Sequence, residues 1–155
     1  YMPLGGMIIS ERLHKELTEL TEGNFWHGYT YSGHPVAAAV AMKNLEIIKN
    51  ENLIEHVNEV GKQMLDGFNW IKDQHDNVID ARGIGLLGAI SLERAEGADP
   101  IGPKVVEAAL EKGLICRSVV YEGQDTLAFA PPFPITKEQM EDMINIINDS
   151  INAVK

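Results

Sequence analysis

The chain has 155 residues, 45% hydrophobic and 23% charged, with 14 Gly and 7 Pro, a composition that excludes collagen-like and disordered classes. Thirteen Lys and Arg against 23 Asp and Glu give a formal charge of −10, so no positive field exists for a nucleic-acid backbone or an anionic membrane surface, and neither is an expected partner. The single cysteine, Cys116, excludes an internal disulfide, and no signal-peptide pattern opens the chain, which therefore reads as cytoplasmic and reduced, with Cys116 a small buried apolar residue. The longest uncharged stretch, Gly23 to Met42, carries Asn24, His27, Thr30, Ser32 and His34 and is too polar for a membrane span.

The opening Tyr1-Met2-Pro3-Leu4-Gly5-Gly6 reads as the middle of a longer chain and runs into Met7-Ile8-Ile9, a strand-like apolar run. Ser10 then caps a short peripheral helix with Leu13, Leu17 and Leu20 on one face. From Thr21 to Gly33 the periodicity stops, and Gly23, Gly28 and Gly33 punctuate a loop carrying Phe25, Trp26, His27, Tyr29 and Tyr31. Pro35 opens a helical run with Val36, Ala37, Val40, Ala41, Leu45, Ile47 and Ile48 on a wide apolar face, and Ala37-Ala38-Ala39 permit packing on two sides. After Asn50-Glu51-Asn52, the residues Leu53, Val57, Val60, Met64, Phe68 and Ile71 mark a one-sided amphipathic helix.

Beyond Asp76 the period changes. Val78–Arg82 and Leu86–Leu92 predict two strands joined through Gly83 and Gly85. Asp99-Pro100 starts a helix with Val105, Val106, Ala109 and Leu110 inward, closed by Gly113, and a strand Leu114–Arg117 is expected at once. Thr126–Ala130 is a further strand, stopped by Pro131-Pro132. Thr136-Lys137-Glu138-Gln139 fits a capping box ahead of a terminal helix with Met140, Met143, Ile144, Ile147, Ile151 and Val154 as its stripe.

Gly83-x-Gly85-x-x-Gly88 fits the dinucleotide-binding pattern, but that site needs a helix to begin at the turn, and Glu96-Gly97-Ala98-Asp99-Pro100 interrupts any helix there. A Gly-relieved bend between strands is expected instead. Residues 51–100 carry 10 acidic against 4 basic side chains, none paired with a His at ligand spacing, so they read as solvated surface. The segment from Trp26 to Pro35 places glycines and hydroxyls ahead of a helix N-terminus. Freed amides, the helix dipole and the Thr30 hydroxyl suit an anion there, although Pro35 removes one amide, and an ordinary aromatic-rich packing loop is the competing reading and the commoner use of such a segment. His27 and His34 suit packing or capping roles, since no third metal ligand lies near them in sequence.

The ordered set Tyr1–Gly6, His27-Gly28-Tyr29-Thr30-Tyr31-Ser32-Gly33-His34-Pro35, Arg82-Gly83-Ile84-Gly85-Leu86, Gly113–Arg117 and Pro131-Pro132-Phe133 resembles class III pyridoxal-phosphate aminotransferases of the ω-amino acid:pyruvate type, collinearly over essentially the whole chain. The resemblance implies an α/β protein of fold type I. Residues 1–33 would be the C-terminal remnant of the large cofactor-binding domain with a dimer-interface loop, and 34–155 a connecting helix and a small α+β domain with a short antiparallel sheet and covering helices. It also implies a homodimer with shared active sites, in which Thr30, assisted by the Tyr29 backbone, reaches the pyridoxal 5'-phosphate of the neighbouring subunit. Arg117 matches the arginine that binds the substrate carboxylate. A surface ion pair with Glu122 or Asp125 is the competing role for Arg117.

The implied reaction moves an amino group from an amine or ω-amino acid to a 2-oxo acid such as pyruvate. The family's Schiff-base lysine falls upstream of Tyr1, so no catalytic residue is assigned here and the 155 residues alone are expected to be inactive. Two other roles fit the same fold: a non-catalytic interaction module, and a cofactor-dependent isomerase or decarboxylase.

Overall fold

In the computed structural model, which describes residues 2–19, 27–94 and 96–154, the chain divides into two units, Tyr1–Glu51 and Asn52–Lys155. In the first, the Ser10 hydroxyl accepts from the Leu13 amide at 3.3 Å and starts α1 (Glu11–Glu19), whose exposed surface carries the i,i+4 pairs Arg12–Glu16 and Lys15–Glu11. Leu20, Phe25 and Trp26 lie outside the described residues. The strand expected at Met7-Ile8-Ile9 is absent. These residues are irregular and Ile8 is fully exposed, because a strand needs a neighbouring backbone to pair with and the described part of this unit offers none.

The expected helix after the glycine loop is α2 (Pro35–Asn50), with Pro in its first turn and His34 as N-cap. Its two-sided packing is not realised: Ala37 is its buried residue, whereas Val36, Val40, Met42 and Leu45 remain exposed.

The second unit begins with α3 (Leu53–Gln74), which buries Val60, Met64, Phe68 and Ile71 at helical spacing. Strands β1 (Val78–Ile84) and β2 (Leu87–Leu92) form the expected hairpin around Gly85-Leu86, with Gly85 at φ +53°, a value that favours glycine at the first turn position. Helix α4 (Gly102–Glu111) starts later than Asp99-Pro100 suggests, at the point where the Asp125 carboxylate accepts from the amides of Ile101 and Gly102. Leu110, expected inward, is exposed. Gly113 ends the helix at φ +89°, with the Leu114 amide returning to the Ala109 carbonyl.

Two further antiparallel strands follow, β3 (Arg117–Tyr121) and β4 (Gln124–Phe129), giving a four-stranded sheet in the order β1-β2-β4-β3. The strand expected at Leu114–Arg117 therefore begins only at its last residue. Arg117 pairs with Ala128, and β4 ends at Phe129 before Pro131-Pro132, so residues 114 and 115 have no strand opposite them and the ladder stops at Arg117. The capping box forms as the sequence predicts: the Thr136 hydroxyl accepts from the Gln139 amide and the Gln139 side chain accepts from the Thr136 amide, opening α5 (Lys137–Ala153).

The core lies on one sheet face. Ile90, Leu92, Leu127 and Phe129 meet α3, Val105 of α4, and Met140, Ile147 and Ile151 of α5. By strand alternation Arg82, Ala89, Ser91, Thr126, Ala128 and Arg117 point to the opposite face. This is the mixed architecture of a short antiparallel sheet with covering helices. Among the described residues, no helix is long and apolar enough to cross a membrane.

Candidate active site

The expected site residues fall in both units. In the first, Tyr29 to Ser32 form a tight turn in which the Ser32 amide donates to the Tyr29 carbonyl at 2.9 Å and the Tyr29 amide donates to the Ser32 hydroxyl at 3.0 Å. Both backbone groups of Tyr29 are thus used inside the turn. The Thr30 hydroxyl is exposed and bonds to nothing among the described residues, which leaves it able to donate outward. Gly33 follows at φ +69° and redirects the chain into α2.

The N-terminus of α2 is less open to an anion than the loop composition suggests. Pro35 has no amide hydrogen, His34 Nδ1 accepts from the Ala37 amide at 3.3 Å, and the Ala38 amide bonds the His34 carbonyl. His34 is a capping residue, one of the roles its position suggested. His27 sets its ring edge against Tyr29 with centroids 5.4 Å apart. No group of metal-ligating side chains occurs among the described residues.

In the second unit, a cleft of about 790 Å³ opens where the 113–117 segment, the end of β4 and α5 converge. Leu114, Ile115, Pro131 and Met143 contribute apolar walls, and Arg117, Gln139 and Asp142 are the long polar side chains at it. Because residues 114–116 stay out of the sheet, they line this cleft instead of pairing with a neighbouring strand. Arg117 is exposed at the start of β3 and forms no ion pair among the described residues. The alternative partners are elsewhere: Glu122 occupies the β3–β4 turn at φ +45°, and the buried Asp125 carboxylate is committed to the start of α4. An unpaired guanidinium beside apolar walls suits a carboxylate with an apolar body.

Cys116 is half-buried, not fully buried as its composition context predicts, and burial raises its thiol pKa. It stays protonated near neutral pH and is a poor nucleophile. Asp142 escaped the sequence reading, since it looks like an ordinary solvated position on an amphipathic helix, and Gln139 stands there only as the capping-box residue, its Oε1 accepting from the Thr136 amide. The Gly83–Gly88 pattern sits in the β1–β2 hairpin with no helix after it, which removes the dinucleotide fingerprint.

Residues 2–151 match the family model described as Aminotransferase class-III. The chain is 35% identical over 153 residues to the putrescine–pyruvate aminotransferase of Pseudomonas aeruginosa, covering 94% of this chain and 32% of that protein. It is 33% identical over 163 residues to the diaminobutyrate–2-oxoglutarate transaminase of Halomonas elongata, covering 99% and 34%. A transaminase structure from the marine bacterium Virgibacillus superposes with a TM-score of 0.85 at 40% identity, over 94% of this chain and 34% of that one. The chain thus spans about a third of the length of the relatives it matches. On a match from residue 2 to residue 151, it belongs to the class III aminotransferases, a family that uses pyridoxal phosphate.

Proposed function

We propose that these residues act as part of a longer transaminase chain, one that moves an amino group from an amine or ω-amino acid to a 2-oxo acid such as pyruvate. The observation that carries this reading is Arg117, a guanidinium without a carboxylate partner among the described residues, at a largely apolar cleft, in a chain matched by the family model from residue 2 to residue 151. The names of the two relatives, with pyruvate and 2-oxoglutarate as acceptors, support a 2-oxo acid.

The Tyr29–Ser32 turn fits one edge of a phosphate group, because the Thr30 hydroxyl is an exposed, uncommitted donor on a fixed backbone. In a homodimer with shared active sites, Thr30 would donate to a phosphate oxygen of the cofactor held by the neighbouring subunit. The Tyr29 amide would assist only by leaving Ser32. The exposed residues Val36, Val40 and Leu45 of α2 supply apolar area for such an interface. When bound, pyridoxal phosphate supplies the electron sink for amino-group transfer. Arg117 orients the substrate carboxylate with two parallel donors, and the walls from Leu114, Ile115 and Met143 exclude water from an apolar substrate body.

Among the described residues none serves as the proton-shuttling amine in this reading: every described lysine is exposed, Lys43 and Lys62 are paired with Glu46 and Asp66, and the Cys116 thiol stays protonated. The 155 residues alone should therefore transfer no amino groups.

In the full-length enzyme, Arg117→Gln is expected to raise KM for carboxylate-bearing substrates by about 10- to 100-fold, the worth of a charge-assisted pair. Amines without a carboxylate should change less than about twofold. Equal losses for both classes in steady-state kinetics would contradict the role given to Arg117. Thr30→Val is expected to weaken cofactor binding about tenfold, from one lost hydrogen bond to a charged oxygen. Fluorescence titration of the apoenzyme measures this, and the apoenzyme's melting temperature should not move because Thr30 is exposed.

A further inference from the structure

Beyond β4, residues 130–136 belong to no strand or helix, and Ala130, Pro131, Pro132 and Ile135 form one wall of the cleft. Pro131, Pro132 and Pro134 bring no amide hydrogen, so the segment has few backbone donors with which to hold itself. The Ile135 amide closes one turn onto the Pro132 carbonyl at 3.0 Å. Further anchoring comes from one face of α3, on which positions 56, 59 and 63 lie three and seven residues along. His56 Nε2 donates to the Ile135 carbonyl at 2.8 Å, Glu59 pairs with the Lys137 ammonium at 3.1 Å, and Gln63 Nε2 donates to the Lys137 carbonyl at 3.0 Å. Ile135 lines the cleft and Lys137 does not, so of these three contacts it is the His56 bond that ends on the cleft wall. A carbonyl only accepts, so Nε2 carries the hydrogen, as it does in one neutral tautomer and in the cation alike, and the link does not depend on the charge of the ring.

We infer that His56 is a positioning residue that holds this wall in place and so makes the cleft discriminate by girth, admitting slender apolar groups and resisting bulky ones. The inference rests on the reading of the cleft as the place of an apolar substrate body. A slender group fits between the walls as they stand. A bulky group must press the 131–135 wall outward, which draws the Ile135 carbonyl away from His56 and leaves a part-buried donor and acceptor unpaired. That cost falls on the bulky group alone, so it enters the difference between two ligands, which is what specificity measures. His56 itself lies outside the cleft lining and acts only through Ile135.

The test is methyl NMR of the full-length protein, labelled at Ile and Met and titrated with two neutral probes, slender 1-hexanol and bulky 1-adamantanol, following Ile135 and Met143 of the cleft. His56→Leu should raise the affinity for 1-adamantanol relative to 1-hexanol by about threefold to tenfold, the worth of one neutral hydrogen bond. His56→Asn, whose shorter side chain falls short of the carbonyl, should do the same and serves if the leucine variant does not fold. His56→Gln keeps a donor of similar reach and should return the ratio to within about twofold of the parent. Gln63→Leu removes a bond of the same kind from the same helix face, but one that ends on Lys137, and should leave the ratio unchanged. A ratio unmoved by loss of the His56 donor, an equal change in Gln63→Leu, or no response of Ile135 to 1-hexanol in the folded parent would each overturn the inference. The transaminase reading is decided separately, by the cofactor-linked lysine of the full-length protein, and survives any of these results.

Discussion

Gly61→Ala is expected to destabilise the Asn52–Lys155 unit by about 2–3 kcal/mol, lowering its melting temperature by roughly 10–20 °C. Gly61 is buried in α3 and faces the β1–β2 turn. A Cβ there would stand 2.6 Å from the Gly85 carbonyl carbon and 2.8 Å from its Cα, and closer still to the carbonyl oxygen. The contact is backbone on backbone, so no rotamer can relieve it. Gly85 cannot readily give way either, since its φ of +53° holds the turn and Val57 already crowds its open side. Gly67→Ala is the control on the same helix. Its Cβ would meet side chain rather than backbone, the Cδ1 of Ile144 with its Cγ1 at 2.8 Å and Cγ2 at 3.1 Å, so Ile144 must shift, and alanine offsets this with about 1 kcal/mol of helix propensity. Chemical denaturation of both variants decides the matter, and a Gly61→Ala protein within about 0.5 kcal/mol of the parent would contradict the packing described.

Asp125→Ala should cost about 2–4 kcal/mol, because it leaves the amides at the start of α4 without an acceptor. Asp125 is 1% exposed on β4, and its Oδ2 accepts from Ile101 at 2.7 Å and from Gly102 at 2.8 Å. Its Oδ1 has no partner among the described residues and fills the space where a Cβ on Gly102 would stand, 3.1 Å from the carboxylate carbon. A carboxylate on the positive end of a helix is favoured by the peptide dipoles as well as by the two bonds. Asp125→Asn retains an acceptor and loses the charge, so it should recover more than half of the loss. Equal destabilisation by the two substitutions would contradict a capping role and point to packing alone.

The long helices were legible because one local pattern determines each of them. Val60, Met64, Phe68 and Ile71 in α3, and Met140, Ile147 and Ile151 in α5, repeat at helical spacing and bury as a set, and the Thr136–Gln139 box needs no distant partner. The β1–β2 hairpin was legible through Gly85.

What failed to read depends on partners far off in sequence. The sequence suggests a strand at Leu114–Arg117 because Leu114-Ile115-Cys116 is more apolar than Arg117–Tyr121, yet it is the latter that pairs with β4. Its turn, Glu122-Gly123, takes positive φ at both positions, and glutamate is a poor signal for that conformation. The trans cap by Asp125 joins residues 23 and 24 positions apart and leaves no local trace. At the site, the glycines and hydroxyls ahead of a helix start point to Thr30 as well as the motif order does, whereas Arg117 rests on the motif order alone. The absence of an ion pair at Arg117 followed only once Asp125 was seen to be engaged with α4.

The most direct measurement is borohydride reduction of the full-length protein with its cofactor, followed by peptide mapping for a pyridoxyl-lysine. The account predicts one labelled lysine, a few residues ahead of the segment that begins at Tyr1, together with amino-group transfer to a 2-oxo acid. Absence of any label in a folded, cofactor-saturated protein would contradict the transaminase reading and favour a non-catalytic module on the same fold.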